Sequence, residues 1–174
     1  MASWFLRLDL FLVIDQPTII VSKDFLAQAG DPTATGTGGE SIWSFVANDS
    51  SSSSSSSNPP SSRYFPPEIL PKLKHTHKGT VSMAVAPALE DHKGGCGSQF
   101  FITLGENIDY LDGKHAVFGH VVEGLDTLDK LNEVFVDQDG RPFKDIRIRH
   151  VIILGNVSIY HSLTLSENSV GMYR

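Results

Sequence analysis

The side chains able to do chemistry in this chain of 174 residues are few, and their spacing argues against most reaction types. The single cysteine, Cys96, stands near His92 and Lys93 without forming a recognisable nucleophile–base dyad. It reads as an inert thiol, buried or merely exposed. His75-Thr-His77 is an i, i+2 pair with no carboxylate or thiol at ligand spacing, which predicts a solvated loop and not a zinc site. Asp137-Gln-Asp-Gly140 is too short for a calcium loop, because the closing glutamate is missing. Phe25 and Phe101 lie on alternating strands, where aromatic side chains are commonly core. Taken alone, His115 reads as a structural histidine, and Gln28 or Gln99 as solvated surface.

Bulk properties narrow the classes further. A formal net charge of −6 argues against a dedicated nucleic-acid binder and against docking on an anionic membrane. One thiol makes no internal disulfide, so nothing requires an oxidising compartment. The apolar opening, Met1 to Ile20, is interrupted by Arg7 and Asp9 and ended by Asp15, unlike a secretory signal. No stretch approaches the roughly 20 apolar residues of a membrane span. A soluble intracellular protein of one domain is expected.

The elements that must position these residues are mostly strands. Leu6, Leu8 and Leu10 alternate with Arg7 and Asp9 and predict a half-buried strand running into Ile14. Phe25 to Ala29, Thr80 to Ala84, Ser98 to Leu104, His115 to Val122 and Ile146 to Ile152 read as further strands. Leu125, Leu128, Leu131 and Val134 recur at helical spacing. Pro66 to Lys74 has room for a helical turn. Thr33 to Gly39 and Pro87 to Gly97 read as loops. Residues 48–62 include eight consecutive serines, Ser50 to Ser57, too polar to offset their ordering entropy, and predict a disordered surface insertion. Many strands and few helices predict a mainly β barrel or sandwich with a helix over one end.

Three stretches carry a family resemblance. They are Asp24-Phe-Leu-Ala-Gln-Ala-Gly-Asp31 with Gly36-Thr-Gly-Gly-Glu-Ser41; Gly79-Thr-Val-Ser-Met-Ala84 with Gly97-Ser-Gln-Phe-Phe-Ile102; and Tyr110-Leu-Asp-Gly-Lys-His-Ala-Val-Phe-Gly119. In this order they resemble the cyclophilins, peptidyl-prolyl cis-trans isomerases. Phe65-Pro-Pro-Glu-Ile-Leu-Pro-Lys-Leu-Lys-His75, Gly105-Glu-Asn-Ile-Asp-Tyr110 and Asn132-Glu-Val-Phe-Val-Asp137 are similar to the cyclophilin-like-4 subfamily. Its members are nuclear and join a cyclophilin domain to an RNA-recognition motif, for which no RNP-type strand is visible after Leu154. The resemblance implies a closed, eight-stranded antiparallel β-barrel capped by helices. It covers 23–154, with the serine-rich insertion at 48–62. Residues 1–22 are divergent and 155–174 form a loosely held tail. The first strands and first helix look incomplete, as in a truncated or alternatively spliced product.

The resemblance also assigns a site. Phe25, Leu26, Phe101, Leu111 and His115 would line a proline pocket. Gln28 and Gln99 would meet the substrate backbone. Gly36, Ala84 and Ala86 would form the floor, with Val85 where typical members carry asparagine. Tyr110 stands at a tryptophan position, which implies weakened binding of cyclosporin. The family's catalytic arginine falls on Ile20, which has no donor, and nothing in the sequence brings Arg7 or Arg63 there. The implied function is isomerisation of X-Pro bonds, weak without the arginine, with a non-catalytic proline-peptide module of nuclear complexes as the alternative. No cofactor or metal is implied. Nor is direct contact with nucleic acid or membrane, and a monomer acting on proline-containing peptides is expected.

Overall fold

The computed structural model describes residues 20–42, 44, 63–88, 94–144 and 146–148. The expected strand of residues 6–14, the insertion at 48–62 and the tail at 155–174 lie outside them. So does most of the expected last strand, and its residues 146–148 carry no ladder.

Five strands form one antiparallel sheet: β1 (Ile20–Ser22), β2 (Leu26–Ala29), β3 (Thr80–Ala86), β4 (Gly95–Thr103) and β5 (Val117–His120). Their spatial order is β1-β2-β4-β3-β5. Register sets the two faces, because residues directly opposite share a side. Val21 opposes Ala27, which opposes Ile102, which opposes Val81. On this face the helix α1, Leu125–Asn132, packs Leu128 and Leu131 against Val21, Ala27 and Leu104. Ile20, Gln28, Phe101 and Ser82 align on the other face. There Leu26 and Phe101 cluster with Ile108 and Leu111, the latter from a short 3-10 turn at Asp109–Leu111.

Among the described residues the sheet is open, with β1 and β5 at its edges. Mainly antiparallel β structure with the helix α1 over one face stands among these residues; the further strands of a closed barrel are not among them.

Three local expectations need correcting. The Gly95–Gly97 stretch is not loop but the start of β4, which pairs Ala86 with Gly95 and Val85 with Cys96. Glycine disguises a strand by withholding side chains. Between Met83↔Phe100 and Val85↔Cys96 the register shifts, so residues 97–99 of β4 face Ala84 alone. Such a bulge re-aims side chains, here those of Ser98 and Gln99. Pro66–Lys74 holds only a turn, closed by Leu73 N–H on the Leu70 carbonyl at 3.0 Å. Finally, His75 is not solvated: it is fully buried, while His77 is exposed.

Candidate functional site

A groove of about 480 Å³ opens on the Phe101 face, within the size of ligand clefts. Its apolar end is built first. Phe101, 2% exposed, forms the base with buried Leu26 and Leu111. The His115 ring stands edge-on to Phe101, centroids 5.2 Å apart and planes at 84°. Its Nδ1 lies 3.2 Å from the Met83 carbonyl, so that nitrogen carries the proton and donates. Burial is the main force pushing the His115 pKa down, aided by the charges of His75 and Lys114 against the Met83 bond. Phe25 completes this end.

Beneath the base lies a second layer. The His75 ring stacks on Phe101, centroids 5.9 Å apart. Its Nδ1 and backbone N–H both meet Asp112 Oδ1, at 2.8 and 2.9 Å, and its Nε2 meets Ser82 Oγ at 2.8 Å. Burial works to raise the Asp112 pKa, but the His75 hydrogen bonds and the charges of His75 and Lys74 prevail and hold it below the usual range. An Asp–His–Ser alignment suggests nucleophilic catalysis, yet Ser82 is fully buried and does not line the groove. Here it braces Phe101.

The other end is polar. Gln28 Nε2 donates to Gln99 Oε1 at 2.7 Å, and Gln99 Nε2 donates to the Gly36 and Gly38 carbonyls at 3.0 and 2.9 Å. The amide pair thereby ties the glycine loop to the sheet. Ala84, Val85 and Ala86 line the facing wall, half-buried.

The groove thus gathers Phe25, Leu26, Gln28, Gly36, Ala84, Val85, Ala86, Gln99, Phe101, Leu111 and His115. Tyr110 is not among the lining residues. It is 59% exposed and stands at the rim against the Phe25 ring, centroids 5.4 Å apart. Ile20 is not among them either. It lies opposite Gln28 on the edge strand, with its Cγ2 beside Gly140. The position where the resemblance puts an arginine therefore offers only hydrocarbon.

Arg63 and Tyr64 do line the groove. Their recruitment depends on a bridge between Phe65 and Cys96, two backbone hydrogen bonds of 3.0 and 2.8 Å. No short-range pattern announces it. The Arg63 guanidinium lies over the Tyr64 ring at 5.1 Å and donates to the carbonyls of Gly39, at 3.1 Å, and Thr37. It tethers the loop and so does not stand in at Ile20. Among the described residues no cluster of three or more His, Cys, Asp or Glu could hold a metal ion, and no helix is long and apolar enough to cross a membrane.

A buried apolar base thus stands beside a hydrogen-bonded amide pair. The model for cyclophilin type peptidyl-prolyl cis-trans isomerases matches residues 17–153, and the chain belongs to that family. It is 69% identical over 134 residues to the peptidyl-prolyl cis-trans isomerase-like 4 of Cryptococcus neoformans var. neoformans serotype D, covering 77% of this chain and 25% of that protein. Its identity to the Homo sapiens protein of the same name is 50% over 134 residues, covering 77% of this chain and 24% of that one. The chain thus spans about a quarter of the length of these curated relatives. Among solved structures it resembles a Cryptosporidium parvum cyclophilin type isomerase determined in the presence of the dipeptide Ala-Pro. That match has a TM-score of 0.62 and 35% identity, and covers 81% of this chain and 77% of that one.

Proposed function

We propose that this chain accelerates cis–trans isomerisation of X-Pro bonds in peptides and proteins, at a rate well below that of an arginine-bearing cyclophilin. Rotation about the bond meets a barrier of about 20 kcal/mol, because the amide must give up its resonance. No covalent intermediate is required. A site that holds the proline ring and favours the twisted amide lowers the barrier by differential binding. The observation that carries the reading is the apolar end of the groove, where Phe101, Leu26 and Leu111 form a ring-sized base edged by His115. In this reading Gln28 and the backbone of Ala84 to Ala86 hold the flanking peptide. Lack of one transition-state donor at Ile20 costs about 10²–10³ in rate.

The same observation at Ile20 favours a second reading, a module that grips proline segments without turning them over. A protease-coupled assay on a prolyl peptide, read beside peptide titration by NMR, separates the two. Binding with measurable turnover supports the enzyme; binding with none supports the module; no binding removes both. Exposed Tyr110 at the rim supports weakened cyclosporin binding. Subfamily likeness supports a nuclear site of action and a monomeric domain over 23–154 folded as a closed barrel.

A further inference from the structure

The turn that carries Phe25 is held from the opposite side of the molecule. Asp24 adopts φ +56°, a left-handed conformation that L side chains resist and glycine takes freely. Two hydrogen bonds hold it there. The Asp24 N–H donates to Asn132 Oδ1 at 2.7 Å, and Asn132 Nδ2 donates to Asp24 Oδ1 at 2.7 Å. Asn132 is the last residue of α1, on the sheet face away from the groove.

The next residue is Phe25. Its N–H closes the turn on the Ser22 carbonyl at 3.1 Å, and its carbonyl accepts from Leu104 N–H at 2.9 Å and Gly105 N–H at 3.4 Å. Gly105 allows this approach, since a Cβ there would lie 2.2 Å from the Asp24 carbonyl oxygen. The backbone on both sides of Phe25 is thus fixed, while the ring rests on exposed Tyr110 and the groove.

We infer that Asn132 and Asp24 form a clamp that positions Phe25 for substrate, making Asn132 a positioning residue remote from the groove. The inference rests on the reading that Phe25 packs against the proline ring. A glycine at position 24 holds φ +56° without a clamp, which supplies the rescue.

The test compares the full chain, Asn132→Ala, and the double variant Asn132→Ala with Asp24→Gly. Three readouts are taken: the NOE between the Phe25 and Tyr110 rings, KM and kcat for a prolyl peptide, and the melting temperature. Asn132→Ala is expected to lose the NOE and raise KM about three- to tenfold, the loss of two exposed hydrogen bonds and the strain they hold. The double variant is expected to recover both, even if its melting temperature stays low. An unchanged NOE and KM in Asn132→Ala, or a double variant that recovers neither, overturns the clamp. If the parent chain neither binds nor turns over the peptide, the functional reading falls, and the NOE series still decides the clamp.

Discussion

Replacing Ile20 by arginine asks whether the groove lacks only a donor. Ile20 sits on the edge strand opposite Gln28, half-buried, so a longer side chain leaves β1 on the face that carries Gln28 and Phe101. The charge need not be buried. What is lost is part of the isoleucine's contact beside Gly140, about 1 kcal/mol of apolar burial. That corresponds to a melting temperature lower by about 3 °C in a domain of this size. What is gained is one hydrogen-bond donor at the transition state, about 3 kcal/mol off the barrier. A kcat/KM about a hundredfold above the parent chain is therefore expected for Ile20→Arg, and none for Ile20→Met, which has similar reach without a donor. Protease-coupled kinetics would read the fast variant and NMR exchange spectroscopy the slow parent. A folded Ile20→Arg that still binds peptide but turns over within about threefold of the parent refutes the reasoning. So does a parent as fast as an arginine-bearing cyclophilin.

Three further outcomes follow from the geometry. Asp112→Ala strips the acceptor from two donors of fully buried His75 and is expected to destabilise by about 2–3 kcal/mol in urea titration; a loss under 0.5 kcal/mol would deny that the layer braces Phe101. Burial pushes the Cys96 thiol up to about 11, so at pH 8 it should ignore a disulfide reagent until denaturant is added; rapid labelling of folded protein would contradict this. The His115 pKa lies below its ordinary 6.5, so the unfolded chain takes the proton first as pH falls. Its contribution to stability is whole above about pH 6.5 and is lost below it, and His115→Gln should flatten the urea midpoint between pH 7.5 and 5; an identical slope in both proteins would remove His115 as the source.

What the sequence disclosed depended on range. The aromatic and β-branched content of β3 and β4 and the 3.6 period of α1 are local, so these elements were legible, while the residues now lining the groove were named by family motif and not by local pattern. The Gly95–Gly97 start of β4 was not, because a strand without side chains has no period. Residues joined only by distant pairing were also hidden. Arg63 and Tyr64 reach the groove through the Phe65–Cys96 bridge, and His75 is buried because Asp112, 37 residues away, supplies its acceptor. Tyr110 was placed in the groove by motif alignment, but its ring goes to the rim and covers Phe25 instead.

The loop from Thr33 to Gly39 is rich in glycine, a composition that elsewhere cradles phosphate. Its amides already have an anion. Nearly buried Asp31 takes the N–H groups of Thr33, Gly36 and Gly38 at 2.8, 2.5 and 3.3 Å, with the Thr33 hydroxyl at 2.7 Å. Burial alone would raise its pKa, yet these bonds outweigh it and hold it low. The loop is thus a nest closed around a carboxylate of its own chain. A nucleotide would meet a filled cup of like charge, and the glycines serve instead to fix one wall of the groove.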